Sequence, residues 1–138
     1  MKTQPQLKYQ GSHISKENLH QIWWRLHEAL ESNPLLWKEP TSLKDFCTLL
    51  KTNQKYFSQT VGQATGGTIL TLIHCYRING FLKKLENGEV QLKTIEGLLL
   101  ESGFKSRSSF YTAFRKIIGC TVSEIIAQMN QYKKQACP

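Results

Sequence analysis

The sequence predicts an all-α fold of about seven helices in which one helical unit occurs twice. Apolar residues recur at spacings of three and four through most of the 138 residues, and no segment shows the sustained alternation of a strand. Serine, threonine or asparagine precedes several of these apolar stripes, as helix caps do. With 40% hydrophobic and 20% charged residues, the chain can bury a core, which excludes wholesale disorder.

The N-terminal third is predicted to contain two helices after an irregular start. Residues 1–14 lack periodicity and are interpreted as a mobile leader or linker. Ser15 is the predicted cap of a first helix that ends near residue 32, where an Asn-Pro pair breaks the pattern. A loop carrying Trp37 follows, and Ser42 caps a shorter helix.

A shift of 53 positions aligns the middle of the chain with its C-terminal part. Each copy has a cap, two apolar positions one turn apart, a glycine suited to a left-handed helix end, and a threonine that can cap the next helix. The matched pairs are Asn53 with Ser106, Phe57 with Phe110, Val61 with Phe114, Gly66 with Gly119, and Thr68 with Thr121. Each copy is therefore predicted to be a helix-turn-helix unit.

The repeat divides the chain into named parts. Unit one covers about residues 42–67, unit two about residues 94–132, and residues 133–138 form a tail. A longer linker helix over about residues 69–86 joins the units. At 1.5 Å per residue it would span roughly 27 Å. If the second helix of each unit is the DNA-recognition helix, two such helices at the ends of the linker would suit successive major grooves on one face of B-DNA, about 34 Å apart.

The second helix of each unit has the features that DNA recognition requires. In unit two, Phe110, Phe114 and Ile117 are predicted to hold this helix against the core, which leaves its polar face outward. No acid occurs from Lys105 to Ser123, so the segment concentrates the positive charge that a phosphate backbone attracts. In unit one, the residues predicted to face outward are Gln54, Lys55, Ser58 and Gln59.

These motifs resemble those of a known family. Unit two follows the order isoleucine, acid, Gly-Phe, serine-rich turn, aromatic pair and Gly-x-Thr-x-Ser-Glu, within TIEGLLLESGFKSRSSFYTAFRKIIGCTVSEI. That segment is similar to the second helix-turn-helix of the AraC/XylS family of bacterial transcription regulators. The family's first unit resembles SLKDFCTLLKTNQKYFSQTVGQATGGTI. The resemblance implies a homeodomain-like fold that binds double-stranded DNA sequence-specifically, without catalysis, cofactor or metal.

The resemblance also implies a set of contact residues. Base contacts are expected from Lys55, Ser58, Gln59, Arg107, Ser108, Ser109, Tyr111 and Thr112. Phosphate contacts are expected from Asn53, Lys105, Ser106, Arg115 and the backbone near Thr121.

Other partners follow from the same comparison. Many members of the family carry an upstream sensor or dimerisation domain, and no such domain is predicted within these 138 residues. Its tryptophan-bearing first helix looks like the join to such a domain in regulators of the Bacteroidetes type, so the chain is interpreted as an excised DNA-binding domain. RNA polymerase is a candidate protein partner. The alternative hypothesis is a basic helical module that docks an acidic partner, such as a polymerase subunit or a sensor domain.

Composition indicates the compartment of the protein and the state of its cysteines. The formal net charge is +8, and no apolar stretch reaches the roughly 20 residues that cross a bilayer, which predicts a cytoplasmic protein without membrane contact. The four cysteines are scattered, which indicates reduced thiols and not a disulfide framework or zinc site. No convergent set of acid, base and nucleophile indicates an enzyme.

Overall fold

The computed structural model describes residues 14–136, with side chains through residue 134, and every regular element in that range is helical. The all-α prediction is therefore confirmed. The predicted leader falls outside the described residues except for Ile14. The helices α1 to α8 are Lys16–Ser32, Leu35–Lys38, Leu43–Leu50, Gln54–Thr65, Ile69–Glu86, Ile95–Glu101, Arg107–Ile118 and Val122–Ala136. A 3₁₀ turn, Glu89–Gln91, lies between α5 and α6.

The two recognition helices, α4 and α7, have matching ends. The side chain of Asn53 accepts a hydrogen bond from the Tyr56 amide at 2.8 Å, and that of Ser106 accepts one from the Ser109 amide at 3.1 Å. Each helix then runs for 12 residues and ends at a left-handed glycine, Gly66 or Gly119, with φ of 74° and 89°. A residue with a Cβ is strained at such φ values, so the glycines stop both helices at the same length.

Backbone contacts divide the chain into two compact bodies. The N-terminal body, Met1–Ile73, contains unit one, and the C-terminal body, His74–Pro138, contains unit two. The boundary falls within α5, whose range coincides with the linker helix that the sequence indicates.

The core of the N-terminal body forms where α1 packs along α3 and α4. Phe46 of α3 and Phe57 of α4 are fully buried, and their rings stack with centroids 5.9 Å apart. Trp37, which the sequence assigned to a loop, lies in the short helix α2 instead. Its indole N–H donates to the Leu30 carbonyl at 3.2 Å, so a buried polar contact stabilises an extra helical turn beyond the predicted seven helices.

The core of the C-terminal body is an aromatic cluster around Phe110. Its ring centroid lies 4.7 Å from that of Phe81, 5.2 Å from that of Phe104 and 5.6 Å from that of Phe114. All four side chains are at most 2% exposed. Residues from α5, from the turn after α6 and from α7 therefore meet in one cluster that holds the recognition helix in place.

Two predictions about the ends of α7 and α8 are wrong. Ile117 is exposed, whereas Ala113 is buried and Ile118 packs against the core. The buried line follows the four-residue ridge from Phe110 through Phe114 to Ile118, so Ile117 falls beside it. In addition, α8 continues to Ala136, which makes residues 133–136 helical where the sequence suggested a tail.

Replacement of Phe110 by alanine should lower the free energy of unfolding by about 3 to 5 kcal/mol, because it empties the centre of the aromatic cluster. Denaturant titration followed by circular dichroism measures the loss. The matched control is Leu100→Ala, since Leu100 is half exposed on the neighbouring helix α6 and should cost less than about 1 kcal/mol. Equal losses in the two variants would contradict the assigned core.

Candidate nucleic-acid interface

The outward face of α7 presents the residues that the sequence selected in unit two. All of them are exposed in the folded chain: Arg107, Ser108, Ser109, Tyr111, Thr112, Arg115 and Lys116. The opposite face is buried through Phe110, Ala113 and Phe114. The helix therefore offers one polar, basic surface over its length.

The beginning of α7 combines exposed cations with helix-start amides. Lys105 and Ser106 are exposed, and the Ser106 hydroxyl keeps a proton to donate while it caps the helix. Arg107 lies 4.0 Å from the carboxylate of Glu96 on α6. Both side chains are more than half exposed, so this ion pair is weak and leaves the guanidinium able to change partner.

The start of α8 is occupied by a reciprocal capping box. The Thr121 amide donates to the Glu124 carboxylate at 2.8 Å, and the Glu124 amide donates to the Thr121 hydroxyl at 3.1 Å. The expected phosphate contact near Thr121 would therefore have to use the amides of Val122 and Ser123, which precede the first intrahelical hydrogen bond. Hydrogen bonds from the Thr121 amide and hydroxyl, with the charge of Arg115, lower the pKa of Glu124.

In unit one, the predicted contact residues differ in how exposed they are. Asn53 and Lys55 are exposed at the start of α4, and Ser58 is half buried one turn further on. The Asn53 side chain caps the helix through its oxygen, and its side-chain NH₂ group is not used by that hydrogen bond. These residues form a shorter outward strip than the corresponding face of α7.

The prediction that Gln59 faces outward is wrong. Gln59 is only 7% exposed, and among the described residues its side-chain oxygen accepts no hydrogen bond. Gln59 lies about 160° around α4 from Phe57. The side of the helix that carries Gln59 is therefore buried in addition to the side that faces the core. Helix α1 packs along α4, and the periodicity of α4 by itself does not indicate this contact.

Two carboxylates of the C-terminal body are held by lysines outside α7. Glu89 and Glu101 form a four-membered ion-pair network with Lys84 and Lys93, with nitrogen-to-oxygen distances of 3.1 to 3.7 Å. Hydrogen bonds to the two lysines lower the pKa of Glu101, and those to the two glutamates raise the pKa of Lys93. Two acids and two bases thus balance one another within the network.

The linker helix contributes a cation to the edge of the aromatic cluster. The Arg77 guanidinium lies 5.8 Å from the ring centroid of Phe104, and the His74 ring lies 5.6 Å from it. Burial, with the positive charges of Arg77 and Lys116, lowers the pKa of His74. The imidazole is therefore neutral near pH 7, which fits a packing role.

Sequence reasoning missed two lysines in the N-terminal body. Lys44 and Lys51 line a hollow of about 570 Å³ that also includes Asn53 and Gln54 at the start of α4. The sequence signal for Lys51 was its alignment with Gly103, the glycine in the turn of unit two. The two residues align when the offset between the copies is reduced by one residue from 53.

Neither a candidate metal site nor a membrane-spanning helix occurs among the residues that the structure describes. Within residues 14–136 there is no group of three or more histidine, cysteine, aspartate or glutamate side chains that could hold a metal ion. Over the same range, no helix has the length and hydropathy of a membrane span.

The fold agrees with known proteins. A family model described as a helix-turn-helix domain matches residues 46–128, which include α4, α5 and α7. A solved structure of a protein of unknown function from Listeria innocua is similar over 82% of this chain and 95% of its own, with a TM-score of 0.58 and 21% identity. No curated protein sequence matches the chain.

The Glu124→Gln variant should be less sensitive to acid than the parent chain. Because folding lowers the pKa of Glu124, its carboxylate stabilises the fold above the ordinary glutamate pKa of about 4.3, and this contribution disappears as the pH falls through the lowered folded pKa. Unfolding free energies of both chains between pH 7 and pH 3 measure it. The difference between them should shrink towards low pH, and a constant difference would contradict the capping role of the charge.

Proposed function

Because the chain belongs to the AraC/XylS family of helix-turn-helix DNA-binding transcription regulators, we propose that it binds specific double-stranded sites by placing α4 and α7 in successive major grooves. Recognition helices of this motif lie in the major groove and read base edges with residues near their N-termini. The repeated helix-turn-helix supports two such contacts by one chain, where dimeric repressors use two chains.

The observation that carries the proposal is the exposed face of α7. From Lys105 to Ser123 the chain has four basic residues and no carboxylate, and the basic side chains are all exposed. A phosphate backbone attracts such a surface through release of its counterions. The aromatic cluster on the opposite face supports a fixed orientation of the helix, which base reading needs in addition to charge.

The proposed contacts fall into two classes. Arg107, Ser108 and Thr112 have side chains that pair with base edges, arginine bidentately with guanine, and Tyr111 and Ser109 flank them on the same exposed surface. Lys105, Ser106, Arg115 and the amides after Thr121 contact phosphates. In unit one, Lys55 and Ser58 read bases and Asn53 contacts a phosphate. Gln59 is left out of the contact set because it is buried.

The rival function, docking of an acidic protein partner, predicts a different response to salt. The logarithm of the affinity for duplex DNA falls linearly with the logarithm of the salt concentration, with a slope near 0.9 for each phosphate contacted. Weak binding to random duplex whose affinity changes little with salt concentration at low salt would support the docking hypothesis instead.

Selection of bound duplexes from a random library should recover a bipartite site. We expect two conserved half-sites whose centres are about one helical turn, 10 to 10.5 base pairs, apart, because each recognition helix enters one major groove. Sequencing of the selected pool measures the spacing. Recovery of one undivided half-site would contradict the use of both helices.

The Arg107→Ala variant should lose about 1 to 3 kcal/mol of binding energy at the selected site and relax the base preference at one position. Fluorescence anisotropy with the selected and random duplexes measures both effects. Arg115→Ala is the matched control, since loss of a phosphate contact should weaken binding to the two duplexes by the same factor. If Arg107→Ala bound both duplexes as the parent does, the assigned base contact would be wrong.

A further inference from the structure

Two hollows adjoin each other beside the turn between α3 and α4. The first, of about 570 Å³, lies between α3 and the start of α4. The second, of about 240 Å³, lies between the same turn and one face of α1. They share the three lining residues Lys51, Thr52 and Tyr56, so together they form one depression, which we call the turn groove.

The turn groove is lined by cations from three elements and by no carboxylate. Lys44 comes from α3, Lys51 from the turn and Arg25 from α1. The rest of its lining is neutral, with Thr52 and Asn53 among the polar side chains. The amides at the start of α4 add the positive end of a helix dipole. A groove of this charge suits an extended polyanion.

The backbone of Lys51 gives an independent reason to assign a role to its side chain. Lys51 has φ of 54°, and among the described residues no other non-glycine residue has a positive φ. The equivalent position in unit two is Gly103, with φ of 106°. Glycine adopts this conformation at lower cost than lysine does, so local stability alone favours glycine at both positions. The backbone conformation therefore does not explain why lysine occurs at this position.

We propose that the turn groove binds phosphates of the DNA strand that borders the major groove entered by α4, with Lys44 and Lys51 as the principal contacts and Arg25 at its far end. This inference rests on the proposed function, since it assigns α4 to a major groove. It gives unit one its own backbone anchor, although the outward strip of α4 is short and carries one lysine, Lys55, at its start. Phosphate contacts of this kind position the recognition helix without reading sequence.

The test uses the 138-residue chain with Lys51→Gly, Lys44→Gln and the double variant. Lys83→Gln is the matched control. It removes the same charge as each groove variant, and Lys83 is exposed on α5 and lines neither hollow. Anisotropy titrations with a random duplex between 50 and 300 mM NaCl, a range of about sixfold, give the salt slope of each variant. Thermal unfolding of each variant provides the control for folding.

Each groove lysine should lower the salt slope by about 0.9, which corresponds to roughly eightfold weaker binding at 0.1 M salt, and the double variant should lose both contributions. The unfolding midpoint of Lys51→Gly should be unchanged or higher than that of the parent chain. Discrimination between the selected and random duplexes should stay the same, because phosphate contacts carry no sequence information.

Two results would count against the assignment, and they are distinguishable. In the first result, the parent chain binds duplex with a steep salt slope, and Lys51→Gly, Lys44→Gln and Lys83→Gln all have the same slope as the parent. The turn groove then does not contact phosphates, and the proposed function stands. If the parent chain itself binds duplex with no salt dependence, the proposed function fails and the groove assignment fails with it.

Discussion

Burial of the inner face of each recognition helix, around Phe57 in α4 and Phe110 in α7, is the constraint on which the remaining features depend. Phe110 and Phe114 fix α7 against Phe81 and Phe104, and the stacked pair of Phe46 and Phe57 fixes α4 in the same way. The opposite face of α7 becomes a polar surface of defined orientation, whereas α4 keeps a shorter outward strip because Gln59 is buried as well. A loosely held helix would present the same charges but could not keep its side chains in register with base edges.

The distribution of acids makes that surface basic. The C-terminal body has five acidic residues, and none of them lies on α7. Glu89 and Glu101 are bound in the network with Lys84 and Lys93, and Glu124 is engaged in the cap of α8. The modest net charge of the whole chain is therefore less informative than the position of each carboxylate, because screening at physiological ionic strength limits the reach of a charge to about 8 Å.

The two units share a backbone pattern and differ in their surroundings. Their recognition helices have equal lengths and matching caps, and Phe46 and Cys47 of α3 are buried as Leu98 and Leu99 of α6 are. The outward strip is shorter in unit one, where Gln59 is buried, than in unit two.

The sequence by itself determined the all-helical class, the repeat, the caps and the bounds of the linker helix. These features depend on interactions within a few residues, such as the hydrogen bond between Asn53 and the Tyr56 amide or the left-handed φ of Gly119. The aromatic positions on the inner faces of α4 and α7 were also predictable, because helical periodicity places them together. The basic stretch from Lys105 to Lys116 could be recognised for the same reason.

Only the tertiary structure decided which neighbours close the other flanks of these helices. Gln59 is buried on a flank that its own helix does not explain, Ile117 lies beside the ridge that the core follows, and Trp37 forms a helical turn because its indole reaches the Leu30 carbonyl. The turn groove likewise requires α1, α3 and α4 to come together. Periodicity describes one helix, whereas burial depends on contacts between residues far apart in the chain, and their positions follow from packing.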